Sequence, residues 1–243
     1  MNVRINLQFD GTNYHGWQIQ PGKPTVQGIL SDAVYQITGE RVTVHGCGRT
    51  DSGVHASGYV ASFETNSTIP AEKIPFALNS KLPEDIICTS AMQAAPSFLA
   101  NRSAVAKTYR YTVDNNEFPD IFLQRFSWHY KYPLDETKMQ VAAVSFSGTL
   151  DFAGFASSGF YVKTTVRTIH SLNVEKKDNI ITIDVTGNGF LYNMVRIIAG
   201  TLVYVGNGRI EAEDMPDIIN SCCRQSAGIT APEKGLCLKE VFY

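Results

Sequence analysis

The sequence lacks most of the features that would place it in a specialised class. Its five cysteines, Cys47, Cys88, Cys222, Cys223 and Cys237, are an odd number without a C-x-x-C pair. Neither a disulfide framework nor a zinc ribbon is therefore indicated. No stretch reaches the roughly 18 uninterrupted apolar residues of a membrane span; the nearest, residues 190–205, is broken by Asn193 and Arg196. The first residues carry no basic segment followed by an apolar one, so a reduced, soluble, cytoplasmic protein is expected, without a signal peptide. There is no fixed-period repeat and no low-complexity tract. An excess of one charge sign is missing too: 21 Lys+Arg against 23 Asp+Glu give a net charge of -2, whereas nucleic-acid binders usually carry a basic excess. Charged residues are 18% of a chain that is 44% hydrophobic, which excludes disorder. Its 243 residues suffice for one large domain or two modest ones.

What is present is a regular order of elements. Val3, Ile5, Leu7 and Phe9 alternate with Arg4, Asn6, Gln8 and Asp10, as in a half-buried strand. Thr25 caps a helix whose apolar residues Val26, Ile29, Leu30, Ala33, Val34 and Ile37 keep a helical period, and Gly39 stops it. Strands are expected over residues 42–47 and 58–63, a short helix over 69–80 and a strand over 85–92. Strand, helix, two strands, helix, strand is a split β-α-β unit of ferredoxin-like type. Beyond residue 103 the order continues with a strand over 104–113, a helix over 135–146, a hairpin pair over 164–174 and 180–185, and helices over 190–205 and 211–222. The expectation is an α+β protein with two domains, 1–103 and 104–243.

The segment able to carry chemistry is Gly46-Cys47-Gly48-Arg49-Thr50-Asp51-Ser52-Gly53-Val54-His55-Ala56, between the second and third strands. Glycines bracket one arginine and one carboxylate, so the backbone turns freely and a ligand can approach closely. A dinucleotide fingerprint does not fit, because Asp51 occupies the third glycine position and a strand follows instead of a helix. His45, Cys47, Asp51 and His55 have the donor types for a metal, but their spacing matches no zinc pattern. Composition alone also allows a Gly-rich surface turn in which Asp51 caps a backbone N–H.

The block Gly48-Arg49-Thr50-Asp51-Ser52-Gly53-Val54-His55-Ala56 closely resembles the G-R-T-D-x-G-V-H-A signature of the tRNA pseudouridine synthases of the TruA family. The resemblance covers nearly the whole chain. The opening Phe9-Asp10-Gly11-Thr12-Asn13-Tyr14-His15-Gly16-Trp17-Gln18 and Thr25-Val26-Gln27-Gly28 resemble that family's N-terminal blocks, and Leu82-Pro83-Glu84-Asp85-Ile86 its L-P-x-D-I. Lys107-Thr108-Tyr109-Arg110-Tyr111 matches K-x-Y-x-Y, and Gly148-Thr149-Leu150-Asp151-Phe152 matches G-x-x-D-F. Gly189-Phe190-Leu191 with Met194-Val195-Arg196 matches G-F-L-x-x-M-V-R, and Ala231-Pro232-Glu233-Lys234-Gly235-Leu236 the A-P-x-x-G-L block. One departure stands out. Where the family reads F-H-A-R-F, this chain has Phe98-Leu99-Ala100-Asn101-Arg102, so RNA contacts carried over for that stretch are in doubt.

The resemblance implies two ferredoxin-like domains whose antiparallel sheets meet at a central catalytic cleft, and isomerisation of uridine to pseudouridine in the anticodon stem-loop region of tRNA. The bond from ribose to uracil N1 breaks, the base turns, and the ribose rejoins at C5. No redox change occurs and no cofactor is needed. It implies Asp51 as the nucleophilic carboxylate and Arg196 as the guanidinium that opposes the effect of burial on its ionisation. Arg196 is the only charge between Phe190 and Val205; an arginine snorkelling to solvent is the plainer alternative. Tyr109 would stack on the flipped uracil, although paired strand tyrosines are commonly just core. Arg49, beside the nucleophile, would hold a phosphate, or simply face water. His55 reads as a residue that orders the loop through hydrogen bonds. A homodimer is implied by resemblance alone, with no metal and no membrane.

Two further readings remain open at this point. One is a non-catalytic RNA-binding module on the same domains, which would have no need of the Asp51, Tyr109 and Arg196 set. The other is a metal-dependent hydrolase built on His45, Asp51 and His55, which predicts sensitivity to chelators. The neutral net charge conceals local asymmetry. Residues 163–209 carry six basic and three acidic side chains, and Arg102, Lys107 and Arg110 flank Tyr109. Lys107 and Arg110 are accordingly candidate RNA contacts, and a localised basic cleft on an otherwise acidic body is expected.

Overall fold

The computed structural model describes residues 1–159 and 162–243. It is a mixed α+β protein of mostly antiparallel strands and few helices. Contacts divide the chain into two units, Met1–Val105 with Cys237–Tyr243, and Ala106–Leu236.

The first unit runs β1 (Asn2–Phe9), α1 (Val26–Thr38), β2 (His45–Gly46), β3 (His55–Glu64), α2 (Ile74–Asn79) and β4 (Ile86–Ala94). β1 lies between β4 and β3, antiparallel to both, and β2 is antiparallel to β3 through His45↔Ser62 and Gly46↔Ala61. The alternation in β1 sends Val3, Ile5 and Leu7 into the core, which also takes Val26, Leu30, Ala33 and Val34 of α1 and Ile74 and Leu78 of α2. Each of these Val, Leu and Ile side chains contributes about 1.5–3 kcal/mol by leaving water. The ends of α1 follow its sequence signals. The Thr25 hydroxyl accepts from the Gly28 N–H at 3.3 Å, and Gly39 adopts a left-handed φ of 74° while its N–H reaches Tyr35 O.

The second unit holds β5 (Ala106–Asp114), β6 (Trp128–His129), α3 (Glu136–Val144), β7 (Gly148–Asp151), β8 (Val166–Lys177), β9 (Ile180–Gly187), α4 (Met194–Gly206) and α5 (Met215–Asn220). β5, β9, β8 and β7 are neighbours in that order, antiparallel throughout, and β6 joins β5 in parallel. α4 starts at Met194 rather than at 190, because Asn193 sits at φ 60°, ψ 7°, a left-handed conformation that asparagine tolerates and a helix interior does not. The apolar run before it is not helical: Leu191 is buried, Phe190 half-buried and Tyr192 exposed. The acidic stretch behind α4 likewise shortens to a single turn (Ala212–Asp214) followed by α5, whose first turn contains Pro216, the position where a missing N–H is harmless.

The last strand, β10 (Leu236–Phe242), pairs in parallel with β3 through Cys237↔His55 and Leu238↔Ala56, which is why residues 237–243 group with the first unit. Among the described residues no helix is long and apolar enough to cross a membrane.

Candidate active site

The Gly48–Val54 loop leaves β2 and enters β3, and its backbone is fixed at nearly every residue. The buried Tyr59 hydroxyl donates to Gly48 O, and Trp17, whose ring stacks on Tyr59 with centroids 4.3 Å apart, donates its backbone N–H to Thr50 O at 3.1 Å. Tyr14 O receives the Gly53 N–H at 3.2 Å and the Ser52 hydroxyl at 3.3 Å, while Val54 N–H closes the turn onto Asp51 O at 3.2 Å. Two glycines let the 10–17 segment lie directly against this loop. A Cβ on Gly11 would fall 2.0 Å from Val54 O, and one on Gly16, at φ +80°, 2.4 Å from Thr50 O. At the loop's exit the buried His55 Nδ1 receives the Gly11 N–H at 3.0 Å and lies 3.2 Å from Asp10 Oδ1, so this histidine orders the loop. Asp51 occupies the middle of the cradle, half-buried, with Arg49 exposed two residues before it.

The 10–17 segment is itself anchored. Asp85, at the entrance of β4, accepts the Tyr14 hydroxyl and the Asn13 side-chain amide, and its carbonyl takes the Asp10 N–H at 2.9 Å. Burial, followed by the adjacent Asp85, pushes the Tyr14 phenol above its ordinary pKa, so it remains an O–H donor.

Tyr109, Arg196, Lys107 and Arg110 belong to the second unit. Tyr109 is buried on β5 opposite Val185, its ring edge-on to Phe190 at 5.3 Å. Arg196, in the first turn of α4, keeps only 15% of its side chain exposed. Its Nε donates to Ala231 O at 2.7 Å, Nη1 to Asn193 Oδ1 at 2.9 Å and Nη2 to Glu233 Oε2 at 3.3 Å. It is thus held by three acceptors, as the geometry of a guanidinium favours. The 228–233 strap that supplies two of these is tied down by Thr201, whose hydroxyl accepts the Gly228 N–H at 2.8 Å, and by the Tyr111 hydroxyl on Pro232 O at 2.8 Å. Burial drives the Tyr111 phenol well above its usual pKa. Lys107 is half-buried on β5. Arg110 forms a bidentate pair with Asp184 at 2.7 Å on both arms and retains 38% side-chain exposure.

Residue-by-residue reading picked out Asp51 but passed over the groups that hold its loop. Tyr14, Trp17, Tyr59 and Asp85 carried no chemical signal of their own; only the place of Tyr14, Trp17 and Asp85 in blocks that resemble the family's pointed to them. At the departure from the family pattern, Phe98 packs against Tyr243 with centroids 5.0 Å apart, and Asn101 faces solvent. No group of three or more His, Cys, Asp or Glu among the described residues is arranged to hold a metal ion.

Comparison with known proteins adds to this geometry. The family profile described as tRNA pseudouridine synthase matches residues 6–101 and 142–243. A protein of Thermoanaerobacter sp. (strain X514) named tRNA pseudouridine synthase A is 48% identical over 242 residues, 100% of this chain and 99% of that one. One of the same name from Acetivibrio thermocellus is also 48% identical over the same coverage, and one from Brevibacillus brevis is 45% identical over 241 residues, 99% of both chains.

Proposed function

The chain belongs to the tRNA pseudouridine synthase family, and from that membership we infer that it isomerises uridine to pseudouridine in tRNA with Asp51 as the nucleophile. The observation that carries the role of Asp51 is the cradle: a single carboxylate held at mid-loop while the residues around it are pinned by Tyr14, Trp17 and Tyr59. Such a group is oriented before substrate arrives, which is where much of catalysis originates.

The chemistry moves one bond. The N1–C1′ bond of uridine breaks, the uracil rotates, and a C5–C1′ bond forms; the C5 proton is lost and N1 gains one, so the product is an isomer and no external redox partner is needed. The carboxylate can act by attack at uracil C6, at ribose C1′, or through a glycal. Every route requires it ionised, which a guanidinium nearby favours. In this reading the two units are ferredoxin-like domains, 1–103 and 104–243, meeting at a catalytic cleft. The antiparallel order β4-β1-β3-β2 of the first unit supports that assignment. The second domain brings Arg196 toward the carboxylate and Tyr109 to stack on the everted base. Arg49, Lys107 and Arg110 meet the phosphates, and the target uridines lie in the anticodon stem-loop region. A homodimer completes the proposal, supported by the exposed Phe118, Ile121 and Phe122 of one segment, which a monomer would leave in water.

The test is pseudouridine mapping of tRNA from cells lacking this protein, complemented with the wild type or with Asp51→Asn. Anticodon-arm pseudouridines disappear in the deletion, return with the wild type and stay absent with Asp51→Asn. Their persistence in the deletion strain overturns the activity, and restoration by Asp51→Asn overturns the nucleophile. Light scattering at micromolar concentration reads the dimer directly.

A further inference from the structure

We propose that Asp85 is a positioning residue for catalysis, acting on the Asp51 loop through Tyr14; this rests on the reading of Asp51 as the nucleophile. Asp85 lies in the Leu82-Pro83-Glu84-Asp85-Ile86 block, 34 positions from Asp51 in the chain. Its three acceptors all close on residues 10–14. The carbonyl takes the Asp10 N–H at 2.9 Å, Oδ2 the Asn13 amide at 3.3 Å, and Oδ1 the Tyr14 hydroxyl. Hydrogen bonds to an ionised carboxylate are the stronger kind, and this one holds a tyrosine whose side chain is buried.

The backbone carbonyl of the same Tyr14 receives the Gly53 N–H and the Ser52 hydroxyl. One residue therefore joins the Asp85 carboxylate to the two residues that follow Asp51. Gly11, within the clamped turn, lies so close to Val54 that an added Cβ would fall 2.0 Å from its carbonyl oxygen, so movement of the turn also reaches the loop at a second point. A carboxylate whose bond-making geometry must be held within about 0.5 Å is displaced when that turn relaxes.

A purely structural staple is available for comparison at the neighbouring β4, made by the last residue of α2. Asn79 bridges the Cys88 N–H at 2.8 Å and the Cys88 carbonyl at 2.9 Å, and it makes no link to the loop. The experiment compares Asp85→Ala, Tyr14→Phe, their double variant, Asp85→Asn and Asn79→Ala in steady-state tRNA pseudouridylation and in thermal unfolding. Asp85→Ala and Tyr14→Phe each lower kcat by about ten- to a hundredfold, the penalty of a misplaced reacting group, with KM for tRNA little changed. The double variant falls no further than the worse single one, because both remove the same contact. Asp85→Asn recovers much of the loss, since its amide oxygen still accepts the Tyr14 hydroxyl. Asn79→Ala lowers Tm and leaves kcat intact. If Asp85→Ala behaves like Asn79→Ala, or if the two singles multiply in the double variant, the positioning role is overturned. Full turnover by Asp51→Asn would instead remove the nucleophile assignment beneath it, and is scored separately in the same assay.

Discussion

Gly16 shows how tightly individual residues are bound to the candidate site. Its φ of +80° and the 2.4 Å that would separate an added Cβ from Thr50 O oppose any side chain for two independent reasons. The conformation alone costs a non-glycine residue about 1–3 kcal/mol, and the clash must also be relieved by moving the carbonyl next to Asp51. Gly16→Ala is therefore expected to lower stability by at least that amount in urea unfolding, and to reduce kcat in the protein that remains folded. An alanine variant with wild-type turnover would show that Thr50 moves without consequence. At this scale the sequence offered a candidate carboxylate and was silent about the groups that hold its loop. Asp51 stood out because three glycines surround it. The Tyr14–Asp85 contact joins residues 71 positions apart, and nothing in a linear pattern of residue types encodes such a meeting.

At the scale of elements, α4 and the strap over residues 228–233 form the seat of Arg196. Thr201 is fully buried in that helix; its hydroxyl donates to Ile197 O at 2.7 Å and accepts the Gly228 N–H at 2.8 Å. Thr201→Val keeps the shape and strands a buried N–H, which costs about 1–3 kcal/mol. The expected outcome is a lower Tm than wild type, with Thr201→Ser near the wild-type value; equal Tm for valine and serine would mean that Gly228 finds another acceptor. Elements with local boundary chemistry were readable: Thr25 and Gly39 mark the two ends of α1, and the alternation of β1 predicts its buried face. Elements defined by their neighbours were not. β2 shrinks to His45–Gly46, β3 starts at His55 rather than at 58, and β10 was not anticipated at all. A strand exists where a partner offers hydrogen bonds, and its partner can be anywhere in the chain.

For the molecule as a whole, the net charge of -2 proved a poor guide to the substrate class. Several cations are already matched: Arg110 by Asp184, and Arg196 by Glu233. RNA is therefore met by a limited number of basic groups, some of which, like Arg110, already share their charge with an acidic partner, and not by a uniformly charged surface. With about four phosphates neutralised, counterion release predicts roughly a hundredfold loss of tRNA affinity between 50 and 200 mM salt. Filter binding or fluorescence titration across that range measures the slope, and a flat response would contradict a phosphate-led mode of binding.

The return of β10 to β3 has a consequence for how the protein is made. Cys237 and Leu238 pair with His55 and Ala56, the two residues at which the Asp51 loop passes into its strand. During translation, the first unit can collapse early, but this edge stays open until residues 237–243 have left the ribosome. Chains stalled or clipped before that point hold an unpaired edge beside an unfinished loop. They are then candidates for quality-control proteolysis rather than partly active enzyme. The last strand to be made thus closes the edge on which the Asp51 loop ends.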